Sequence, residues 1–309
     1  MEISNTLVLG NGFLRALFKG VPSWKELFEH VESDIRNYTI LYEVNLLKSK
    51  KKTDNEIKPE LIHRITKTYS VENFKENTTL DLSKFGEYLS SYNVQNIITT
   101  NYDEGIEFIL CQKCGYKNIK IEGLAEEDIY SIRRYKKFIN VKNGHCIKLW
   151  KIHGDINKIE SIILGFDQYC GSLSKLSGYI KGKYKSDDVD GPECDIPMIE
   201  KCKNQKFDNL SWAELFFNTN VYIVGLGMDF SEIDIWWLLN NRVRIQNKVS
   251  QVQNKIIYLY DDKYDNNKTD IFEALDAFKV ERYSICSDKD YINKIFKVMA
   301  ETRFQVRED

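Results

Sequence analysis

The chain has 309 residues, of which 42% are hydrophobic and 13% aromatic, so it can bury a full core. Its formal charge of -2 excludes a global field that would attract nucleic acid or a membrane surface. No run approaches the roughly 20 apolar residues that cross a bilayer, and the first residues are not basic as in a secretion signal. We therefore expect a cytoplasmic protein with no membrane partner and no direct nucleic-acid binding.

The sequence contains seven cysteines, an odd number that indicates reduced thiols in a chain without a secretion signal. Cys111 and Cys114 have the spacing of half a zinc site, whereas a closed structural site needs four ligands. Cys194 and Cys202 could complete such a site, but their spacing is loose. We therefore favour ordinary thiols and expect no metal.

Three short apolar runs predict buried strands, because continuous β-branched segments are typical of parallel sheets. They cover residues 6–9, 94–98 and 146–152. Each is followed by small or polar residues, which are Gly10-Asn11-Gly12-Phe13, Thr99-Thr100-Asn101-Tyr102-Asp103 and His153-Gly154.

The segments between these strands predict helices over 24–47 and 58–90, joined by a polar, basic linker at 48–55. We assign residues 48–92 to a smaller, mostly helical inserted lobe. A short apolar run at 161–164 predicts another strand. Residues 175–207 combine glycines and prolines with many charges, which is typical of a mobile loop or lid.

The last third alternates between helix and strand. A strand at 220–224 ends at Gly225-Leu226-Gly227, and a strand at 255–260 ends at Asp261. The helix between them, 231–244, is expected to bury Ile233, Trp236, Trp237 and Leu239. Further elements are predicted at 210–219, 270–278, 280–286 and 289–299. This alternation predicts an α/β fold, a Rossmann-like parallel sheet with crossover helices.

Ligands bind beyond the carboxyl ends of the strands in such sheets, so the residues at these ends are candidates for a site. A glycine turn between strand and helix lets backbone N–H groups approach a phosphate. Arg15 stands where the dinucleotide fingerprint needs its third glycine, which argues against a dehydrogenase. Histidine suits proton exchange with a ribose hydroxyl near neutral pH. Asp261 or Asp262, at the end of the strand 255–260, could accept hydrogen bonds from ribose hydroxyls.

Together these motifs resemble the sirtuin-like family, particularly its bacterial defence-associated branch. Gly10-Asn11-Gly12 resembles the family's first glycine loop, and Gly20-Val21-Pro22 the Gly-Ile-Pro segment that follows it. The family's Thr-Gln-Asn-Ile-Asp, His-Gly and late glycine motifs resemble residues 99–103, 153–154 and 225–227. Residues 9–13 also resemble the start of AbiH-type abortive-infection proteins.

The resemblance implies a sirtuin-like NAD-binding domain over 1–309, with NAD as its substrate. It implies that Asn101 orients the attacking water or the nicotinamide ribose, and that His153 acts as general base. Asp103 would favour positive charge or shape the loop, as a third catalytic residue. The resemblance assigns NAD binding to Gly10, Asn11, Gly12, Phe13, Thr99, Gly225 and Gly227. Asp261 is a further predicted NAD-binding position.

Deacylating sirtuins carry a four-cysteine zinc module after the His-Gly motif, whereas the CxxC of this chain precedes His153. We therefore expect hydrolysis of NAD to nicotinamide and ADP-ribose, leading to NAD depletion in antiphage abortive infection. Analogy with defence systems implies a homo-oligomer, a partner sensor or an ATPase. Two alternatives remain open: a non-catalytic module that senses NAD or ADP-ribose, and an NAD-dependent protein deacylase.

Overall fold

A central eight-stranded sheet organises the chain in the computed structural model. The structure describes residues 3–23, 38–48, 54–68, 82–119, 130–186, 191–265 and 268–304, with positions 26 and 74. The strands are β1 Asn5–Leu9, β2 Val94–Thr99, β3 Tyr116–Ile119, β4 Lys136–Asn140, β5 Cys146–Lys151, β6 Tyr184–Lys185, β7 Glu193–Cys194, β8 Asn220–Val224, β9 Ile256–Tyr260 and β10 Glu281–Ser284.

The described helices lie on both faces of this sheet. They are α1 Asn11–Leu17, α2 Tyr38–Lys48, α3 Asp54–Thr68, α4 Ser83–Ser91, α5 Gly105–Phe108, α6 Phe166–Ile180, α7 Met198–Asn204, α8 Trp212–Asn218, α9 Ile233–Gln246, α10 Asp262–Asp265, α11 Thr269–Ala277 and α12 Tyr291–Phe304. Among the described residues, no helix is both long and apolar enough to span a bilayer.

The strand order β10-β9-β8-β1-β2-β5-β4-β3 places β1 near the centre of the sheet. The first six strands in this order run parallel, whereas β4 and β3 add an antiparallel edge. The chain leaves β1 towards β2 on one side and later returns to β8 on the other. This reversal is the kind of topological switch point at which open α/β sheets bind ligands.

Alternate residues of the central strands enter two separate cores. Leu7 and Leu9 pack into one core, which includes residues of α1, α4 and α12, and Val8 enters the core beneath α6, α8 and α9. Because both faces are covered, the strand sequences are apolar throughout rather than alternating. The predicted α/β Rossmann-like fold is confirmed.

The segment predicted as helical, 58–90, contains α3 and α4, and most of 69–81 lies outside the described residues. Local predictions fail in two places. Residues 161–164 form no strand, because a 3-10 turn at Ile159–Ser161 leads into irregular chain. The polar segment 115–145 supplies β3 and β4, which were not predicted.

Two predicted segments are described in part. In the proposed inserted lobe, 48–92, α3 and α4 are helical, but residues 49–53 and most of 69–81 lie outside the description. In the predicted lid, 175–207, the end of α6, the β6–β7 pair and α7 are ordered elements, with 187–190 outside the description. The lobe limits and the mobility stay predictions.

Candidate active site

Two neighbouring parallel strands deliver Asn101 and His153 to the same edge of the sheet. Thr99 of β2 is in register with Lys151 of β5. Each site residue lies two positions beyond this pair, and Ile152 N donates to Thr99 O at 3.0 Å. The register therefore brings both residues to the same edge of the sheet, on the loops that follow two paired strands.

The side chain of Asn101 is buried and has no hydrogen-bond partner within the described ranges. Asn101 is 1% exposed, and neither its Nδ2 nor its Oδ1 has a partner among the described residues. Each buried polar group left unpaired costs about 1–3 kcal/mol. A polar ligand or an ordered water at this position would remove that cost.

Thr99 fixes the loop that carries Asn101. Its Oγ1 donates to the carbonyl of Leu9 on β1 at 2.7 Å and accepts from the Asn101 N–H at 3.1 Å. The hydroxyl is buried and satisfied by the protein itself. Thr99 therefore joins the ends of β1 and β2, and its contact with NAD stays a prediction.

His153 is held by a buried carboxylate that the sequence analysis did not identify. Its Nε2 lies 3.0 Å and 3.2 Å from the two carboxylate oxygens of Asp234, at the start of α9. Asp234 is fully buried, and its Oδ1 also accepts from Ile235 N. Burial alone would lower the pKa of His153, but Asp234 and then Glu232 raise it to about 9.

Glu232 lies on the other side of the His153 ring. Its Oε2 is 3.7 Å from Nδ1, and this buried oxygen has no hydrogen-bond partner in the described part of the chain. Burial, which exceeds the opposing attraction of His153, raises the pKa of Glu232 to about 7. A carboxyl group with this pKa exchanges its proton near neutral pH.

Two buried phenols complete the surroundings of His153. Tyr102 donates to the carbonyl of Ile163 at 2.6 Å, and the Tyr169 ring packs edge-on against His153 at 5.5 Å. Burial, reinforced by the charges of Glu232 and Asp234, raises the pKa of both phenols. They therefore stay protonated and act as neutral walls of the site.

Asp103 lies in the same loop but is committed to local structure. It is 3% exposed, and its Oδ1 accepts from Gly105 N at 2.7 Å, at the start of α5. Burial raises its pKa to about 6, against the opposing effect of Lys151. This geometry supports the loop-shaping role predicted for Asp103 rather than contact with substrate.

A charge network lies directly behind the Asn101 loop. Lys151 Nζ donates to the Asp103 carbonyl at 2.6 Å and lies 3.1 Å from Glu107 and 3.4 Å from Asp155. Lys136 contacts the same two carboxylates at 2.9 Å and 2.7 Å. The network joins β5, β4 and the loops after β2 and β5, so it sets the relative positions of the site loops.

The two glycine turns pack against each other, backbone to backbone. Gly10 N donates to Val224 O at 3.0 Å, Gly12 N donates to Gly225 O at 2.8 Å, and Phe13 N donates to Gly10 O. A Cβ on Gly10 would lie 2.5 Å from Gly225 O. The absence of side chains therefore permits this contact, and the three N–H groups are already paired rather than open to a phosphate.

The other two residues of the first turn also have structural partners. Asn11 Nδ2 donates to Pro22 O at 2.9 Å, which ties the turn to the Gly20-Val21-Pro22 segment. Phe13 is fully buried and packs against the rings of Phe85 and Tyr291. The Phe13 side chain is thus a core residue in this structure and is not exposed to a ligand.

A substitution at Gly225 tests this packing. Its φ is +62°, and a Cβ there would lie 2.1 Å from Phe13 N. We expect Gly225→Ala to lower the free energy of unfolding by at least about 1–3 kcal/mol, the usual cost of overpacking. Gly227→Ala is the matched control, because its nearest contact would be Lys268 Nζ at 3.5 Å. Equal urea midpoints for the two variants would contradict the packing described here.

Gly227 and Asp261 lie at the ends of β8 and β9, on the side of β1 away from His153. Lys268 Nζ donates to Gly227 O at 2.7 Å. Asp261 Oδ2 accepts from Ser287 N at 2.8 Å and from Ser287 Oγ at 2.6 Å. Both positions are on the predicted edge, and their contact with NAD stays a prediction.

Among the described residues, one group of at least three potential metal ligands occurs, formed by His153, Glu232 and Asp234. Its ligand atoms lie within 4.8 Å of one another. In this structure Nε2 of His153 lies within hydrogen-bond distance of the Asp234 carboxylate. We interpret the group as an acid–base cluster.

Cys111 and Cys114 have the spacing of half a zinc site, although ordinary thiols were favoured there. All seven cysteines are free, and burial raises the pKa of the Cys114 thiol to about 12. The absence of a metal at these cysteines stays a prediction.

A family model for the SIR2-like domain matches residues 95–283. The chain belongs to the SIR2-like family. The match covers more than half of the chain and includes Asn101, His153 and Asp234, but not the first glycine turn. SIR2-like domains are generally NAD-dependent enzymes that use NAD as substrate. A search of curated proteins found no match to this SIR2-like protein.

The sequence analysis missed Glu232 and Asp234 of this SIR2-like site. Its helix prediction placed Ile233, Trp236 and Trp237 on the buried side of α9. In the structure, Asp234, Ile235, Leu238, Leu239 and Arg242 are buried, whereas Trp236 and Trp237 are half-buried. The available signal was the position of two acidic residues directly after the Gly225–Gly227 turn, at the start of a helix.

Proposed function

We propose that this SIR2-like protein hydrolyses NAD to nicotinamide and ADP-ribose. The observation that carries the proposal is the buried amide of Asn101, which has no partner among the described residues and follows β2, the strand paired with the one that precedes His153. An amide without protein partners is suited to hold a water or a ribose hydroxyl. Family membership supports NAD as the molecule that supplies that ribose.

The surrounding charges suit the chemistry of this reaction. Cleavage of the bond between ribose C1′ and the nicotinamide nitrogen passes through an oxocarbenium-like state, as in glycoside hydrolysis. Positive charge then develops on the sugar. The carboxyl groups of Glu232 and Asp234 lie around His153 in a buried setting, where fixed charges act strongly. Asn101 would place the attacking water at C1′.

Product analysis tests the proposal directly. Purified protein incubated with NAD is expected to release nicotinamide and ADP-ribose in equal amounts, measured by chromatography. Addition of an acyl-lysine peptide should not raise the rate, which separates hydrolysis from deacylation. If NAD raised the melting temperature without any turnover, in every oligomeric state and with candidate partners present, the protein would be a sensing module and the proposed hydrolysis would be wrong.

We further propose that the reaction depletes NAD in antiphage abortive infection and that assembly or a partner restrains it. The support is the resemblance to defence-associated sirtuin-like proteins and, for residues 9–13, to AbiH-type proteins. A homo-oligomer, a sensor or an ATPase would supply the control. Mass measurement in solution combined with NAD turnover tests this: a strict monomer with constant activity would contradict it.

A further inference from the structure

We propose that Glu232 accepts the proton of the attacking water, and that Asp234 holds His153 as a hydrogen-bond donor towards the ribose. This inference rests on the proposed NAD hydrolysis. It moves the role of general base from His153 to a residue that the sequence analysis did not identify. Asp234 is a positioning residue in this scheme, because it acts through His153.

The contacts of His153 determine which nitrogen is available. Nε2 is bonded to Asp234, whose carboxylate is anchored by Ile235 N and is fully buried. An N–H on Nε2 is therefore directed at a fixed acceptor. The remaining nitrogen, Nδ1, faces Glu232 across 3.7 Å, which is too long for a direct hydrogen bond. A hydroxyl or a water could contact both Nδ1 and Glu232.

Glu232 has the uncommitted acceptor of this cluster. Its Oε2 is buried without a partner among the described residues, while its side chain as a whole is 17% exposed. The neighbouring carboxylates already accept hydrogen bonds from backbone N–H groups: Asp103 from Gly105, Asp229 from Ser231, and Asp234 from Ile235. Among these four carboxylates, Glu232 is the one with a buried oxygen that has no partner in the described part of the chain.

The charged and titratable groups that act on Glu232 come from several elements. His153 follows β5 and lowers the pKa of Glu232, whereas Asp234 on α9 and Asp229 after β8 raise it. The phenols of Tyr102, after β2, and Tyr169, on α6, have raised pKa values and stay neutral. Neither phenol competes for the proton. With a pKa raised to about 7, Glu232 is partly ionised at neutral pH, whereas His153 is protonated.

The reaction step balances without any further reactant. The C1′–nitrogen bond of NAD breaks, and its electron pair stays on nicotinamide, which leaves as a neutral molecule. The water oxygen forms the new bond to C1′, and one water proton passes to the Glu232 carboxylate. The proton then returns to solvent, so the products are nicotinamide, ADP-ribose and one proton. His153 remains a donor throughout and undergoes no net change.

The pH dependence of the rate tests these roles. Glu232 must be ionised to accept a proton, so the rate should rise as pH increases through about 7. His153 must be protonated to donate, so the rate should fall as pH increases through about 9. We expect Glu232→Gln to lower kcat by roughly 10²–10⁴-fold, with little change in KM for NAD. The variant should also lose the acidic limb of the pH profile, which is the rise of the rate with increasing pH.

Asp234→Asn separates positioning from proton transfer. Loss of the Asp234 charge should move the alkaline limb from about 9 towards lower pH, because that charge raises the His153 pKa. An NMR titration of the His153 ring should show the same shift without NAD present. Glu281→Gln is the matched control, because Glu281 is 39% exposed and pairs with Lys255 at 3.3 Å on the far edge of the sheet.

The outcomes distinguish the inference from the proposed function. If the parent protein does not cleave NAD in any oligomeric state or with candidate partners present, the proposed function fails and the assignment of Glu232 fails with it. If the parent cleaves NAD and Glu232→Gln keeps the parental kcat and acidic limb, only the inference is overturned. An unshifted His153 titration in Asp234→Asn, with an unchanged melting temperature, would overturn the positioning role.

Discussion

Replacing Asn101 with alanine should lower the rate of nicotinamide release by roughly 10²–10³-fold, the loss typical of one preorganised polar group that acts on a transition state. The same change should leave the melting temperature unchanged or higher. The reason is that the Asn101 amide is buried without partners in the described structure, so its removal breaks no hydrogen bond there. Lost activity with retained stability is the behaviour of a residue kept for function.

Asn96→Ala is the matched control for that experiment. Asn96 is also a buried asparagine of β2, but it lies near the opposite end of the strand and accepts from Trp150 Nε1 at 3.1 Å. We expect this variant to lose stability, because the indole N–H is left unpaired, and to keep its NAD turnover. A reversed pattern, with Asn96→Ala inactive and Asn101→Ala unstable but active, would contradict the site assignment.

Lys151→Met should lower the free energy of unfolding by about 3–5 kcal/mol, as expected when one member of a buried ion pair is removed. Lys151 is 5% exposed and contacts Glu107 and Asp155. Methionine keeps most of the side-chain volume, but Lys136 is then the remaining lysine that contacts Glu107 and Asp155. Urea unfolding at pH 7 measures the loss.

Lys136→Met provides the comparison, because Lys136 contacts the same carboxylates but is 29% exposed. A smaller loss is expected, since water screens that pair.

The stability of the two variants should also depend differently on acid pH. Burial alone would raise the pKa of Asp155, but Lys151 and Lys136 lower it to about 2. The resulting stability is present above the ordinary pKa near 4 and is lost as pH falls towards about 2. Lys151→Met should weaken this dependence of stability on pH. A smaller loss of unfolding free energy in Lys151→Met than in Lys136→Met would contradict the network.

The strands that build the site could be predicted from the sequence. β1, β2, β5, β8 and β9 are short apolar runs followed by small or polar residues, and this pattern is typical of parallel strands covered on both faces. The positions of Asn101 and His153 at one edge followed from that prediction. The antiparallel edge could not be predicted, because β3 and β4 are polar strands in a segment without regular alternation.

The partners of the site residues could not be predicted. Helix α9 begins with the sequence Ile-Asp-Ile-Trp-Trp-Leu-Leu, which is apolar on most sides, so periodicity does not identify its buried face. The tryptophans suggested one face, and the packing against α6 and α8 selects another. That choice turns Asp234 inward to His153 and was not visible in the spacing.

The glycines show a different limit of sequence reasoning. The glycine turn after β1 was predicted to let backbone N–H groups approach a phosphate. In the structure, the turn at Gly10 and Gly12 and the turn at Gly225 pack against each other. The same residue type serves a phosphate or a neighbouring loop equally well, because both require the absence of a Cβ.

A crystal structure of the Glu232→Gln variant with NAD tests the central claim most directly. We predict that the nicotinamide ribose binds against Asn101 and His153. Asn101 Nδ2 or Oδ1 and His153 Nδ1 should then lie within hydrogen-bond distance of the sugar or of a water at C1′. NAD bound at another face of the sheet, with the Asn101 amide still unpartnered, would contradict it.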